Sequence, residues 1–213
     1  MKIFLDFDDV LFNTKAFKKD LIAIFKKNKV SKKDFLATYK DYPTVTKKGL
    51  QKYDPFEQIK RLKEKLSVNG MKIKKDLLHF LAKSSDYLFK DVKKFLQEFD
   101  KKDLYLVSYG QTGFQDKKIA NCDLKKYFRK IIVTDKMKAE VIKRLVGQKE
   151  KFVFVDDRVD QIEAVKKKFP QSLTFLMKRK EGRYFDKKNE FVDYEVRNLN
   201  EVKKTIDWKL ADS

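Results

Sequence analysis

The 213-residue chain carries 52 Lys and Arg against 32 Asp and Glu, a formal charge of +20, and 42% of it is hydrophobic, including 19 Phe. That supplies a real core for one domain with a sizeable insertion or a small second domain. No apolar run approaches the ~20 residues of a membrane-spanning helix, and one Cys and one His exclude an internal disulfide and a Cys/His zinc cluster.

Residues 2–7 read as a short buried strand with Asp6 near its end. Phe17, Leu21, Ile24 and Phe25 then recur at helical spacing. Ser31 is placed to cap a shorter helix that stops before Pro43. Asp54-Pro55 reads as an N-cap followed by Pro in the first turn, and Phe56, Ile59, Leu62 and Leu66 mark one helical face. A turn is expected at 67–70, then helices from about Lys74 to Phe99, the last with Leu88, Val92, Phe95, Leu96 and Phe99 as its stripe.

Beyond residue 100 short strands and ten-residue helices alternate. "DLYLVS", "KIIVT", "KFVFVDD" and "LTFLMK" read as strands, separated and followed by helical segments. This pattern predicts an α/β fold, a Rossmann-like three-layer α/β/α core around a parallel sheet, plus an inserted α-helical cap. The expected division is 1–13 and 86–213 for the core and 14–85 for the cap. With no signal-peptide pattern, the expected location is cytoplasmic.

The basic excess invites a nucleic-acid reading, because Lys and Arg release counterions from phosphates. Against it, only seven of the 52 basic residues are Arg, the side chain suited to bidentate contacts. The lysines fall in pairs and triplets along almost every helix (Lys18-Lys19, Lys26-Lys27, Lys166-Lys167-Lys168), the pattern of solvated faces. A general attraction for phosphate-bearing ligands survives either reading.

Open parallel sheets bind ligands beyond the carboxyl ends of their strands. Those ends offer Asp6 and Asp8, Ser108, Lys136, and Asp156 with Asp157. His79 is the single His and falls inside the helical insertion, which disfavours a Ser-His-Asp triad. Carboxylate chemistry with a hard cation remains, and Mg2+ prefers oxygen ligands.

"DFDDV" at 6–10, the strand-end Ser108 in "LYLVSYG", Lys136 opening a helix and "DD" at 156–157 occur in one order. In that order they resemble the four motifs of the haloacid dehalogenase superfamily of aspartyl-phosphate hydrolases. The resemblance implies Asp6 as nucleophile and Asp8 as general acid and base. It implies Ser108 and Lys136 as ligands of the transferring phosphoryl oxygens. Asp6, Asp8 (through its backbone carbonyl), Asp156 and Asp157 would hold Mg2+. Lys138 lies two residues past Lys136 and competes for its role; Asp160 competes for a place beside Asp156.

Asp9 is expected to point away and cap the turn. Gln115 reads equally as pocket mouth or helix surface. Cys122 reads as packing and residues 177–188 as a solvated basic loop. The expected enzyme is a Mg2+-dependent phosphatase acting on a small phosphorylated metabolite. Tyr39, Tyr42 and Tyr53 with the cap lysines hint at a nucleotide or sugar phosphate. A phosphomutase with the same nucleophile, and a basic binding protein for nucleic acid or another anionic partner, are the alternatives. Asp8 favours phosphate esters over carbon–halogen bonds, since family members resembling dehalogenases lack it.

Overall fold

The computed structural model describes residues 1–40 and 53–211. Its strands are β1 (Lys2–Leu5), β2 (Leu104–Tyr109), β3 (Lys130–Thr134), β4 (Phe152–Asp156), β5 (Leu173–Met177) and β6 (Tyr194–Val196). They form one sheet in the order β3-β2-β1-β4-β5-β6, and every neighbouring pair is parallel. The alternation of side chains along each strand divides the interior. Ile3, Leu5, Leu104, Leu106, Val153 and Val155 fall in one apolar cluster. Phe4, Tyr105, Val107, Phe152 and Phe154 fall in the other.

Each face has its own helical cover. Helices α5 (Val92–Gln97), α6 (Phe114–Ala120) and α9 (Leu199–Ala211) add apolar residues to the first cluster. Helices α7 (Lys138–Ile142) and α8 (Val159–Lys168) cover the second. This is the three-layer α/β/α core expected from the alternation of strands and helices. Strand β6 was not anticipated: its three residues are too few to show a period, yet they pair with Phe175–Met177.

Between β1 and α5 lie α1 (Thr14–Lys27), α2 (Lys32–Lys40), α3 (Pro55–Lys65) and α4 (Gly70–Ala82), packed on one another. Ser31 Oγ accepts the Asp34 N–H at the start of α2, and Asp54 caps α3 ahead of Pro55. The end of the helix at Pro43 lies outside the described residues, as does Tyr42. The expected run of helix from Lys74 to Phe99 is corrected. Asn69 caps Lys72, so α4 begins at Gly70, inside the expected turn. A 3-10 turn at Ser84–Tyr87 then precedes a non-helical stretch. There Leu88 bridges Phe12 and the Phe89 N–H donates to the Leu11 carbonyl. These bonds fasten the segment before α5 to the loop after β1.

Candidate active site

The site begins with how the chain leaves β1. The Leu11 and Phe12 amides both donate to the Phe7 carbonyl, and the Asp9 amide donates to Phe12. Asp9 takes φ +58°, a left-handed conformation that Asp tolerates better than most residues. Phe7 and Phe12 stack beneath this turn at 4.8 Å. The result is a tight loop that holds Asp6 and Asp8 at the carboxyl edge of the sheet. Both line a cavity of about 300 Å³.

Against that cavity, one carboxylate oxygen each from Asp6, Asp156 and Asp157 lies within 4.8 Å of the other two, and Asp6 and Asp157 line the cavity itself. All three residues are buried. Lys138 Nζ sits between Asp6 Oδ1 and Asp156 Oδ2, 2.6 Å from each, with its side chain 1% exposed. Burial pushes the Asp6 carboxyl up to about 7; Lys138 pulls against this and Asp156 adds to it. Asp157 is raised well above the carboxylate range, by burial first and then by Asp6 and Asp156. For Lys138 burial opposes the charge, but Asp156 and Asp6 outweigh it and raise its pKa.

Lys136, expected as the phosphate-binding lysine, is not at this cluster. It is exposed in the turn before α7 and lines a separate cleft with Thr134, Asp135 and Glu140. Its backbone amide is tied to Thr134 Oγ1. Lys138 is the first residue of α7, and its amide donates to Gln161 Oε1 on α8. Helix α7 packs against α8 on the second face of the sheet. Its first side chain is thereby directed to the strand ends.

Asp8 has different surroundings. Thr14 Oγ1 and Lys118 Nζ donate to its Oδ1, each at 2.7 Å, and Gln115 Nε2 donates to its Oδ2 at 2.8 Å. Gln115 Nε2 also lies 2.8 Å from Ser108 Oγ, so one amide joins the β2 end to the β1 loop. Burial opposes ionisation of Asp8, but Lys118, Arg183 and these donors prevail and hold it at about 2. A Cβ on Gly110 would meet Gln115 Cγ at 3.1 Å, so the missing side chain lets Gln115 fold back over the strand end. Lys118 is 3% exposed and lies within 6 Å of the rings of Phe7, Phe12, Phe17 and Phe114. Such a cation–π cage holds the ammonium in place beside Asp8.

Asp9 does not line the cavity; its side chain is 1% exposed and bonded to Arg183 Nε. Burial raises its pKa and Arg183 works against the rise. Residues 177–188, expected as a solvated loop, thus send two arginines inward. Arg183 reaches Asp9, while buried Arg179 bonds the Val10 carbonyl and Asp91. Asp160 accepts two bonds from Arg158 and stands outside the carboxylate cluster. Sequence reasoning missed Thr14, Lys118 and Arg183. Only Lys118 left a local signal, falling on the apolar face of Phe114, Ile119 and Cys122.

Among the described residues three buried carboxylates share one ammonium, which leaves two negative charges if all ionise. Asp157 Oδ2 is buried and has no hydrogen-bond partner among the described residues. A divalent cation with oxygen ligands fits both the charge and the orphaned oxygen. Asp6, Asp156 and Asp157 are the side chains that could hold it.

A family model of haloacid dehalogenase-like hydrolases matches residues 3–167. No curated protein matches the sequence. Among solved structures, a haloacid dehalogenase-like hydrolase of Burkholderia xenovorans is similar at a TM-score of 0.73 and 17% identity, covering 95% of this chain and 94% of that one. The hydrolase YfnB of Bacillus subtilis, bound to magnesium, is similar at 0.61 and 16%, covering 96% and 97%. A Thermotoga maritima protein assigned as a β-phosphoglucomutase gives 0.56 and 16%, covering 96% and 99%. At these identities the structures share the fold, and the family model extends over most of the chain. With its parallel sheet and the acidic cluster at the strand ends, this chain belongs to the haloacid dehalogenase-like hydrolases.

Proposed function

We propose that this hydrolase is a Mg2+-dependent phosphatase acting on a small phosphate monoester of the nucleotide or sugar phosphate class, through an aspartyl-phosphate on Asp6. The observation that carries the reading is the buried Asp6–Asp156–Asp157 cluster, which has too little positive charge of its own and sits beside a second, fully bonded Asp8. Residues 14–85 act as the cap over it.

In the first step an Asp6 carboxylate oxygen attacks phosphorus, and the bond from phosphorus to the leaving oxygen breaks. Asp8 supplies the proton to that oxygen. Asp8 rests as a carboxylate here, and a phosphate dianion arriving beside it opposes that charge and favours its protonation. In the second step Asp8 takes a proton from water, the water oxygen attacks phosphorus, and Asp6 is released as a carboxylate with inorganic phosphate. Lys138 would bind the phosphoryl oxygens as a fixed positive charge, and Ser108, joined to the site through Gln115, would be the second ligand. Asp6, Asp156 and Asp157 would hold Mg2+, which would supply the charge that lets Asp6 ionise beside its neighbours and would shield the phosphate.

A phosphomutase uses the same residues with a sugar hydroxyl in place of water; the structural likeness to the Thermotoga maritima protein is what favours it as a second reading. Hydrolysis of p-nitrophenyl phosphate, with Mg2+ and with EDTA, tests the proposal on wild type and Asp6→Asn. Metal-dependent release by the wild type, lost in the variant, is expected. Equal release by both proteins would remove Asp6 from the mechanism. Salt-sensitive retention of Asp6→Asn on a polynucleotide, without turnover by wild type, would favour a binding protein.

A further inference from the structure

We infer that the leaving group of the substrate carries a planar aromatic ring, held against Tyr39, Tyr53 and Phe114; this rests on the phosphatase reading above. The cavity that contains Asp6 and Asp8 has two unlike sides. One carries the charged groups already described. The other is formed by Phe17, Leu21, Tyr39, Tyr53 and Phe114, with Lys18 at its edge.

The rings of that second side are set against one another. Tyr39 and Tyr53 lie 4.5 Å apart at 50°, and Tyr53 meets Phe114 edge-on at 5.8 Å. Tyr53 is fixed from behind: its hydroxyl donates to Gln58 Oε1 at 2.6 Å. Gln58 is fully buried and donates in turn to the Phe35 carbonyl and Thr38 Oγ1. Tyr39 and Tyr53 are half-buried and both line the cavity, in positions fixed by their ring contacts, which lowers the entropic cost of binding. Lys18 Nζ stands 3.9 Å from the Tyr39 ring centre and adds positive charge at that edge.

Among the described residues, this side offers few hydrogen-bonding groups beyond the Tyr39 hydroxyl and the Lys18 ammonium. A sugar's hydroxyls need partners when they leave water. The Tyr53 hydroxyl already donates to Gln58, and the Thr14 hydroxyl already donates to Asp8. Phe17, Leu21 and Phe114 offer nothing polar. A flat ring needs no partners there and gains from edge or offset contact with the tyrosines. At about 300 Å³ the cavity is at the small end of ligand pockets, which suits one ring system and a phosphate.

Steady-state kinetics with Mg2+ on four esters test this: phenyl phosphate, adenosine 5′-monophosphate, glucose 6-phosphate and glycerol 2-phosphate. We expect kcat/KM for at least one ring-bearing ester to exceed both others by about tenfold. Preference for phenyl phosphate identifies a directly attached ring, and preference for the nucleotide a ring carried on ribose. Tyr39→Leu should lower that preference about fivefold, chiefly through KM, and Tyr39→Phe should retain it. Equal efficiency on all four esters overturns the inference and leaves the phosphatase reading intact. A preference unchanged in both Tyr39→Leu and Tyr53→Leu overturns the assignment to this wall. Turnover of none of the four overturns the phosphatase reading, and the inference with it.

Discussion

Asp6 and Asp8 stand two residues apart, yet one shares a single ammonium with two other buried carboxylates while the other is surrounded by donors from three side chains. The pKa follows the surroundings: about 7 for Asp6 and about 2 for Asp8. Identical side chains on one loop are thus held in opposite protonation tendencies by their neighbours. The difference lies in where each positive charge comes from. For Asp8 the protein supplies Lys118 itself, inside an aromatic cage. For Asp6 it supplies Lys138 and stops short of neutrality, which is what a site that takes its last charge from outside requires.

The largest effect that would break this contrast is on turnover. Asp6→Asn is expected to lower phosphatase kcat by roughly a thousandfold or more while far-UV circular dichroism stays unchanged. Loss of the fold in that variant would mean that the cluster is structural. Next comes Lys138→Met, which leaves three carboxylates without their ammonium. Urea unfolding at pH 7.5 should show about 3–5 kcal/mol of destabilisation, smaller at pH 5, where the carboxylates can take up protons. Lys136→Met, outside the cluster, should stay within about 0.5 kcal/mol of wild type. The two lysines exchanging these outcomes would contradict the pairing of Lys138 with Asp6 and Asp156.

Metal and pH sharpen the comparison further. The Asp6 carboxyl is raised from 3.8 to about 7, so the folded state holds that proton more tightly than the unfolded chain. Its contribution to stability is therefore greatest below pH 3.8 and is lost as pH rises to about 7; Asp157 acts in the same direction. A cation on these carboxylates must displace protons at low pH. The rise in melting temperature with 10 mM Mg2+, on the order of a few degrees, should be larger at pH 7.5 than at pH 5. An equal rise at both would place the metal elsewhere.

Asp8 gives the opposite sign. Its pKa is lowered from 3.8 to about 2, so its contribution is complete above pH 3.8 and is lost as pH falls through 2. Lys118→Met should cost about 2 kcal/mol at pH 7 and less at pH 3, and should move the acidic limb of the kcat/KM profile upward. An unmoved limb would show that Lys118 packs without tuning Asp8.

How much of this was legible in the sequence depends on whether a feature has a local cause. The short apolar strands ending in Asp6, Ser108 and Asp156, and the helices between them, follow from periodicity and gave the three-layer core. The choice between Lys136 and Lys138 does not. In "DKMKAE" both lysines sit at the start of a helix. What decides is the docking of α7 on α8 through Gln161, a contact between residues 23 apart. Arg183 lies further beyond local reasoning: "RKEGRYFDKK" looks solvated until its arginine meets Asp9, 174 residues away. Gln115 and Lys118 are intermediate, since their spacing of three within an apolar stripe marks a polar pair facing inward. The expected helix through residues 83–91 failed for a tertiary reason, because Leu88 and Phe89 bond to the loop after β1 instead.

The central claim is that Asp6 carries the phosphoryl group. The most direct test is to react the protein with substrate and Mg2+, quench it in acid, and reduce with borohydride, which converts an aspartyl-phosphate to homoserine. Peptide mass spectrometry should then find homoserine at position 6 and Asp unchanged at position 8, with no conversion when EDTA replaces Mg2+. Steady turnover with Asp6 unmodified, or homoserine at another aspartate, would contradict the account.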